Sequence, residues 1–196
     1  LAVSAEEPAN ILLAEPIRLP RLGRPWTIAD LASLPDDEHH YELVRGDLMR
    51  ASPASPVQGR YASRLDGAIG SFVEKHDLGE VYTAELGFIL QPEPEPIVRS
   101  PDVAFVRKDR IPPADEQTGF WPVAPDLAVE IVLPSDRADE IQAKVQDYLT
   151  AGTRLIFLPP GASQVRLDFN GTLDIPGRGK LKVFPGDVVA VGNAGE

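Results

Sequence analysis

The chain has 196 residues, 19 Lys and Arg against 30 Asp and Glu, a formal net charge of −11, 43 % hydrophobic residues and no Cys. This is one domain's length with a globular composition, which argues against wholesale disorder; the lack of Cys excludes disulfides, thiolate metal sites and thiol nucleophiles. The acidic balance opposes non-specific attraction to nucleic acid and leaves room only for a local basic groove.

Residues 1–24, with Pro8, Pro16 and Pro20 and no sustained period, read as an N-terminal arm that packs late or stays mobile. Glu6 and Glu7 without a basic leader do not read as a signal peptide, and no apolar run approaches the roughly 18 residues of a membrane span. The expectation is a soluble, cytoplasmic protein with no membrane partner. A single domain is expected over 25–190, with 191–196 as a tail.

Thr27 can cap a short helix through Leu34, stopped by Pro35-Asp36-Asp37. Tyr41-Glu42-Leu43-Val44 and Leu48-Met49-Arg50-Ala51 flank Arg45-Gly46-Asp47 and predict a hairpin in which the glycine supplies the positive φ. After the Ser52–Pro56 loop, Val57, Tyr61, Leu65, Ile69, Phe72 and Val73 recur at steps of three and four, a long amphipathic helix closed near Gly79. Glu80 to Leu90 reads as one strand, and Pro92 to Pro96 as an extended, hairpin-like connection. Ser100 to Val106 is a third strand and Asp126 to Leu133 a fourth, mostly apolar and so expected at the sheet centre. Pro134-Ser135-Asp136 can cap a second helix, Arg137 to Ala151, with Gly152 as its C′ residue. Leu155 to Leu158 completes a β-α-β unit. Gln164 to Phe169 and Lys180 to Phe184 are late antiparallel strands, with turns at Asn170-Gly171 and Pro176-Gly177. The order favours an α+β fold with a mixed sheet flanked by helices.

Glu130 lies mid-strand among apolar neighbours, with Leu127, Val129 and Ile131 on one face and Ala128, Glu130 and Val132 on the other. An ionised carboxylate there needs a partner. Two readings stay open: an acid paired with arginine or reaching solvent, and a metal ligand. Asp102 opens the preceding strand; if the two strands are neighbours, the carboxylates converge and suit Mg²⁺ or Mn²⁺, whereas a turn aspartate is the plain alternative. Lys144 falls between Ile141 and Tyr148 on the inward stripe of the second helix, either snorkelling to solvent or held charged by a buried acid pair.

Leu34-Pro35-Asp36-Asp37, Tyr41 to Leu48, Arg99-Ser100-Pro101-Asp102-Val103, Pro125 to Ile131, Pro134-Ser135-Asp136, Lys144 and Tyr148 to Gly152 resemble, in this order, the Uma2 (DUF820) family over about Thr27 to Phe184. The resemblance implies a restriction-endonuclease-like PD-(D/E)XK fold with an extra N-terminal helix and hairpin. It implies a Mg²⁺- or Mn²⁺-dependent endonuclease acting on DNA, with Asp102 and Glu130 holding the metal and Lys144 as the catalytic basic residue. In most such enzymes the lysine follows the acid by two residues; here that position is Val132, so Lys144 must reach in from the helix. Glu42 is a family position implied as an auxiliary catalytic acid, with a hairpin salt bridge to Arg45 or Arg50 as the alternative. Departures from the family are Gln58 in place of a histidine, Leu133 in place of a serine, and Pro159-Pro160-Gly161 in place of Val-Asp-Pro. The active form is expected to be a homodimer; an inactive nuclease-fold module binding DNA or protein is the rival.

Arg99, Arg107, Lys108 and Arg110, and Arg178, Lys180 and Lys182, are the candidates for phosphate contacts, against a solvated rim. Phe120-Trp121 can stack on a base, anchor a partner or pack in the core. His39-His40 is assigned no role.

Overall fold

Thr27 starts helix α1 (Ile28–Ala32) with a capping box: its hydroxyl accepts the Asp30 N–H while the Asp30 carboxylate accepts the Thr27 N–H. A computed structural model of the protein describes residues 16–37, 39–51, 54–132 and 136–157, and the strand segments 166–168, 172–175, 179–182 and 189–191. The expected turns at Asn170-Gly171 and Pro176-Gly177, Leu133, Pro134-Ser135, Pro159-Pro160-Gly161 and Arg178 lie outside the described residues.

The N-terminal stretch is not a free arm in its described part. Ile17–Arg18 forms strand β1, which pairs antiparallel with β3 (Asp47–Arg50), and Arg21 Nε reaches Asp47 at 2.8 Å. The hairpin of β2 (Tyr41–Val44) and β3 turns on two residues of positive φ, Arg45 at 51° and Gly46 at 77°, so the glycine is not alone in the left-handed region. Gly46 also lies under Pro25, where a Cβ would come within 2.7 Å of the proline ring.

Helix α2 (Pro56–Lys75) opens on a second capping box, Ser55 with Gln58. It ends before the expected glycine; the left-handed residue is Asp77, and Gly79 begins β4 (Gly79–Thr83). A Cβ on Gly79 would meet the Val106 carbonyl at 2.1 Å, so the close pairing of β4 with β7 (Val103–Arg107) requires glycine there.

The single strand expected over Glu80–Leu90 is two strands in two sheets. A turn closed by the Leu86 N–H to Thr83 C=O bond separates β4 from β5 (Phe88–Gln91), which pairs antiparallel with β6 (Ile97–Arg99) across the proline-rich connection. The chain then passes between sheets at Ser100-Pro101-Asp102, so the strand expected from Ser100 begins at Val103. The first sheet runs β1-β3-β2-β6-β5, wholly antiparallel.

The central sheet is mixed, in the order β13-β9-β8-β7-β4, with β8 (Leu127–Val129), β9 (Leu155–Phe157) and β13 (Val189–Val191) parallel and β7 and β4 antiparallel. Helix α3 (Ala138–Thr150) links β8 to β9. Its N-cap is Arg137, whose side chain makes no capping hydrogen bond; its end is the predicted one, with Gly152 at φ 94° and the Thr153 and Gly152 N–H groups on the Tyr148 and Leu149 carbonyls.

The two helices cover opposite faces of the sheet. Leu65, Ile69 and Val73 of α2 pack on Val103, Val129 and Ile131, while Tyr148 of α3, with Ile141, Val145 and Leu149, packs on Ala128 and Ile156. The predicted alternation along β8 is therefore the one observed. The late strands form a separate sheet of β10 (Arg166–Asp168), β11 (Thr172–Ile175) and β12 (Gly179–Lys182); the two expected strands are not neighbours, because β11 lies between them. Trp121 is buried edge-on to Tyr82 at 4.9 Å between ring centroids and bridges to Phe88, and Phe120 packs against the cluster of Leu31, Leu43, Leu48 and Val98 on the first sheet, so this pair serves packing. No described helix is long and apolar enough to cross a membrane.

Candidate active site

Strand β8 stops one residue short of Glu130, so this acid sits just past the strand end and not mid-strand as expected. The register explains the stop. Val103 faces Val129, and continuing it sets Asp102 opposite Glu130 and Pro101, which has no N–H, opposite Ile131. The Ile131 N–H is taken instead by the Asp102 carboxylate at 2.7 Å. The two acids thus converge at one end of the central sheet, as the sequence predicted for neighbouring strands.

The same argument places Glu42. Leu43 faces Val98, so one further step along β2 and β6 sets Glu42 opposite Arg99, and Arg99 Nη1 donates to Glu42 Oε2 at 2.8 Å. Glu42 Oε1 accepts the Ser100 N–H at 3.2 Å. From α3, Lys144 Nζ lies 3.3 Å from Glu130 Oε2 and 3.4 Å from Glu42 Oε1, bridging the carboxylates of the two sheets. Lys144 therefore does not snorkel free to solvent. The Tyr148 hydroxyl donates to Glu130 Oε1 at 2.8 Å.

Behind this cluster, Asp147, fully buried, receives Arg99 Nη2 at 2.7 Å and Arg45 Nη2 at 2.5 Å. Three cations, Lys144, Arg99 and Arg45, and the carboxylates of Glu42, Asp102, Glu130 and Asp147 share the region. Burial pushes the Glu42 carboxyl up, but the charges of Lys144 and Arg99 outweigh it and hold it down at about 2. Burial pushes Glu130 up to about 7, Lys144 opposing and the Asp102 and Glu42 charges adding to it. Burial also raises Asp102 against the pull of the Ile131 N–H and Lys144. Burial would lower the Lys144 ammonium, yet Glu130 and Glu42 hold it above its ordinary value, so the lysine stays cationic.

All four residues singled out in the sequence, Asp102, Glu130, Lys144 and Glu42, meet at this sheet end. The alternative for Glu42 does not hold as stated: its ion-pair partners are Arg99 and Lys144, and Arg45 reaches Asp147 instead. The sequence missed Asp147 altogether, took Tyr148 for packing and took Arg99 for a phosphate contact. The signal for α3 was its spacing, since Lys144, Asp147 and Tyr148 stand at i, i+3 and i+4 of one helix. Arg107 pairs with Asp109, Lys108 with Asp77 and Arg110 with Asp126, so the basic residues flanking β7 are engaged by carboxylates. Gln58 is spent on the α2 cap. His39 Nδ1 contacts the Asp37 carbonyl at 2.8 Å.

Among the described residues no group of three or more His, Asp and Glu is gathered as a metal cage. The donor set is the acid pair Asp102 and Glu130. Two hard carboxylates fit Mg²⁺ or Mn²⁺, which keep several waters and bind through one or two carboxylates together with a phosphate.

A mixed sheet with a helix on each face and two acids and a lysine at one sheet end is a nuclease-type architecture. The profile of the Uma2 family, described as "Putative restriction endonuclease", matches residues 28–168, and the chain belongs to this family. In fold it is similar to the crystal structure of a "putative nuclease belonging to DUF820" from Anabaena variabilis ATCC 29413. The TM-score is 0.60 and the identity 18 %, over 80 % of this chain and 83 % of that one. No curated protein matches the chain.

Proposed function

We propose that this protein is a metal-dependent endonuclease that hydrolyses phosphodiester bonds of DNA. The observation that carries the reading is the bridging of Lys144 between Glu130 and Glu42 beside Asp102, which rebuilds an acid, acid and lysine set although the lysine comes from a helix. Asp102 and Glu130 would hold Mg²⁺ or Mn²⁺. When bound, the ion supplies Lewis-acid polarisation of the phosphate and a lowered pKa for its water.

The chain's own residues supply the rest. Lys144, held protonated by two carboxylates, is a source of positive charge for the pentacovalent phosphate and not a general base at neutral pH. Glu42, held ionised, keeps that ammonium oriented and balances Arg99. A cytoplasmic homodimer, presenting one cleft to each strand of a duplex, is the setting this reading implies.

The test is cleavage of supercoiled and linear DNA with Mg²⁺ or Mn²⁺ by wild type and by Asp102→Ala, Glu130→Ala and Lys144→Ala. Loss of about 10²-fold or more in each variant is expected; cleavage retained in all three overturns the reading. A second reading is favoured by the pairing of Arg107, Lys108 and Arg110 with carboxylates on an acidic chain: an inactive nuclease-fold module that docks a protein. Absence of cleavage with every divalent ion, together with absence of salt-dependent DNA affinity, would support it.

A further inference from the structure

Lys144 belongs to a different element from the acids it bridges, so strand geometry alone cannot fix its distance to them. Its position depends on how α3 docks. On the same helix face, Asp147 and Tyr148 make polar contacts to two strand ends at the site: Asp147 to Arg99 at the end of β6, and Tyr148 to Glu130 beyond β8. Arg99 then grips Glu42, the second counter-ion of the lysine.

The arrangement is an expensive way to hold a helix. Asp147 has no exposed side-chain surface and Arg99 only 7 %, and a buried ion network of this kind gains little stability over apolar packing of the same volume. The neighbouring Ile141, Val145 and Leu149 already supply that packing. What the polar contacts add is register, since each has one geometry in which its donors and acceptors meet.

We propose that Arg99, Asp147 and Tyr148 are positioning residues that set Lys144 between Glu42 and Glu130. Asp147 anchors Arg99, Arg99 presents Glu42 to the ammonium from one side, and Tyr148 fixes Glu130 on the other. The inference deepens the nuclease reading and rests on it only for its kinetic arm.

The experiment uses the full chain and two readouts, with Asp147→Asn and Tyr148→Phe as probes and Val145→Ala as an apolar control on the same helix. The first is nitrogen-detected NMR of the Lys144 side-chain ammonium without metal, assigned by its absence in Lys144→Met. The second is kcat and KM for DNA cleavage. Wild type should show a sharp ammonium signal; Asp147→Asn and Tyr148→Phe should broaden it and lower kcat about 10- to 100-fold with KM nearly unchanged. Val145→Ala should lower the melting temperature and leave both readouts in place. Tyr148→Phe keeps the buried ring and carries the test if Asp147→Asn does not fold. An unchanged ammonium in both probes, or an equal loss in Val145→Ala, overturns the proposal. If wild type cleaves nothing, the nuclease reading fails and the ammonium signal alone decides the positioning role.

Discussion

The two faces of the central sheet use the same strands for different ends. Toward α2, Val103, Val129 and Ile131 meet Leu65, Ile69 and Val73, and the contact is apolar throughout. On the other side Ala104 packs with Phe88 and Trp121, while Ala128 and Ile156 meet α3, which carries Lys144, Asp147 and Tyr148 among its apolar residues. One face removes hydrocarbon from water and so stabilises. The other trades part of that gain for a set of charges whose value lies in their arrangement.

Substitutions on the two faces should separate stability from chemistry. Arg99→Ala has the largest expected effect, on the order of 3–5 kcal/mol, because it strands Asp147 and Glu42 without their shared cation; urea titration checks it, and any cleavage activity should fall with it. Ile69→Ala, on the apolar face, should cost about 2–5 kcal/mol through the cavity it leaves, yet retain wild-type kcat well below its melting temperature. A fall in kcat for Ile69→Ala would mean that the two faces are coupled.

Stability against pH probes the polar face through Glu42 and Glu130. Glu42, lowered from 4.5 to about 2, contributes stability present above the unfolded value and lost as pH falls from about 4.5 to 2. Glu130, raised to about 7, has the opposite sign: the folded state binds the extra proton between about 4.5 and 7, so stability falls as pH rises through that window. Together these two acids predict a maximum near pH 4.5, each flank on the order of 3 kcal/mol. Thermal melts from pH 3 to 8 test this, and Glu130→Gln should flatten the upper flank only. The smallest expected effect is that of Ser55→Ala at the α2 cap, about 1 kcal/mol, with cleavage untouched.

Much of the fold was legible because its signals are local. Thr27 caps α1 where its position suggests, Gly152 ends α3, and the alternation of Leu127 to Val132 sorts correctly onto two faces. Glu80 to Leu90 misled because its apolar run does not reveal that a turn at Thr83 to Leu86 hands the chain from one sheet to another. The ends of β6 and β8 were equally hidden: the Ile131 N–H leaves the ladder for a carboxylate 29 residues away in sequence. Arg99 looked like a phosphate contact because a sequence shows its charge and not its burial.

The sequence by itself determined the candidate acids, the lysine on a helix face and the places of the helices and the first hairpin, since residue type, period and capping are properties of neighbours along the chain. Only the tertiary structure decided that Glu42 faces Arg99, that Asp147 takes both Arg99 and Arg45, and that Lys144 bridges Glu42 and Glu130. Those contacts depend on register between strands and on the docking of α3. A buried charge chooses its partner among groups far apart in sequence by the cost of being left without one.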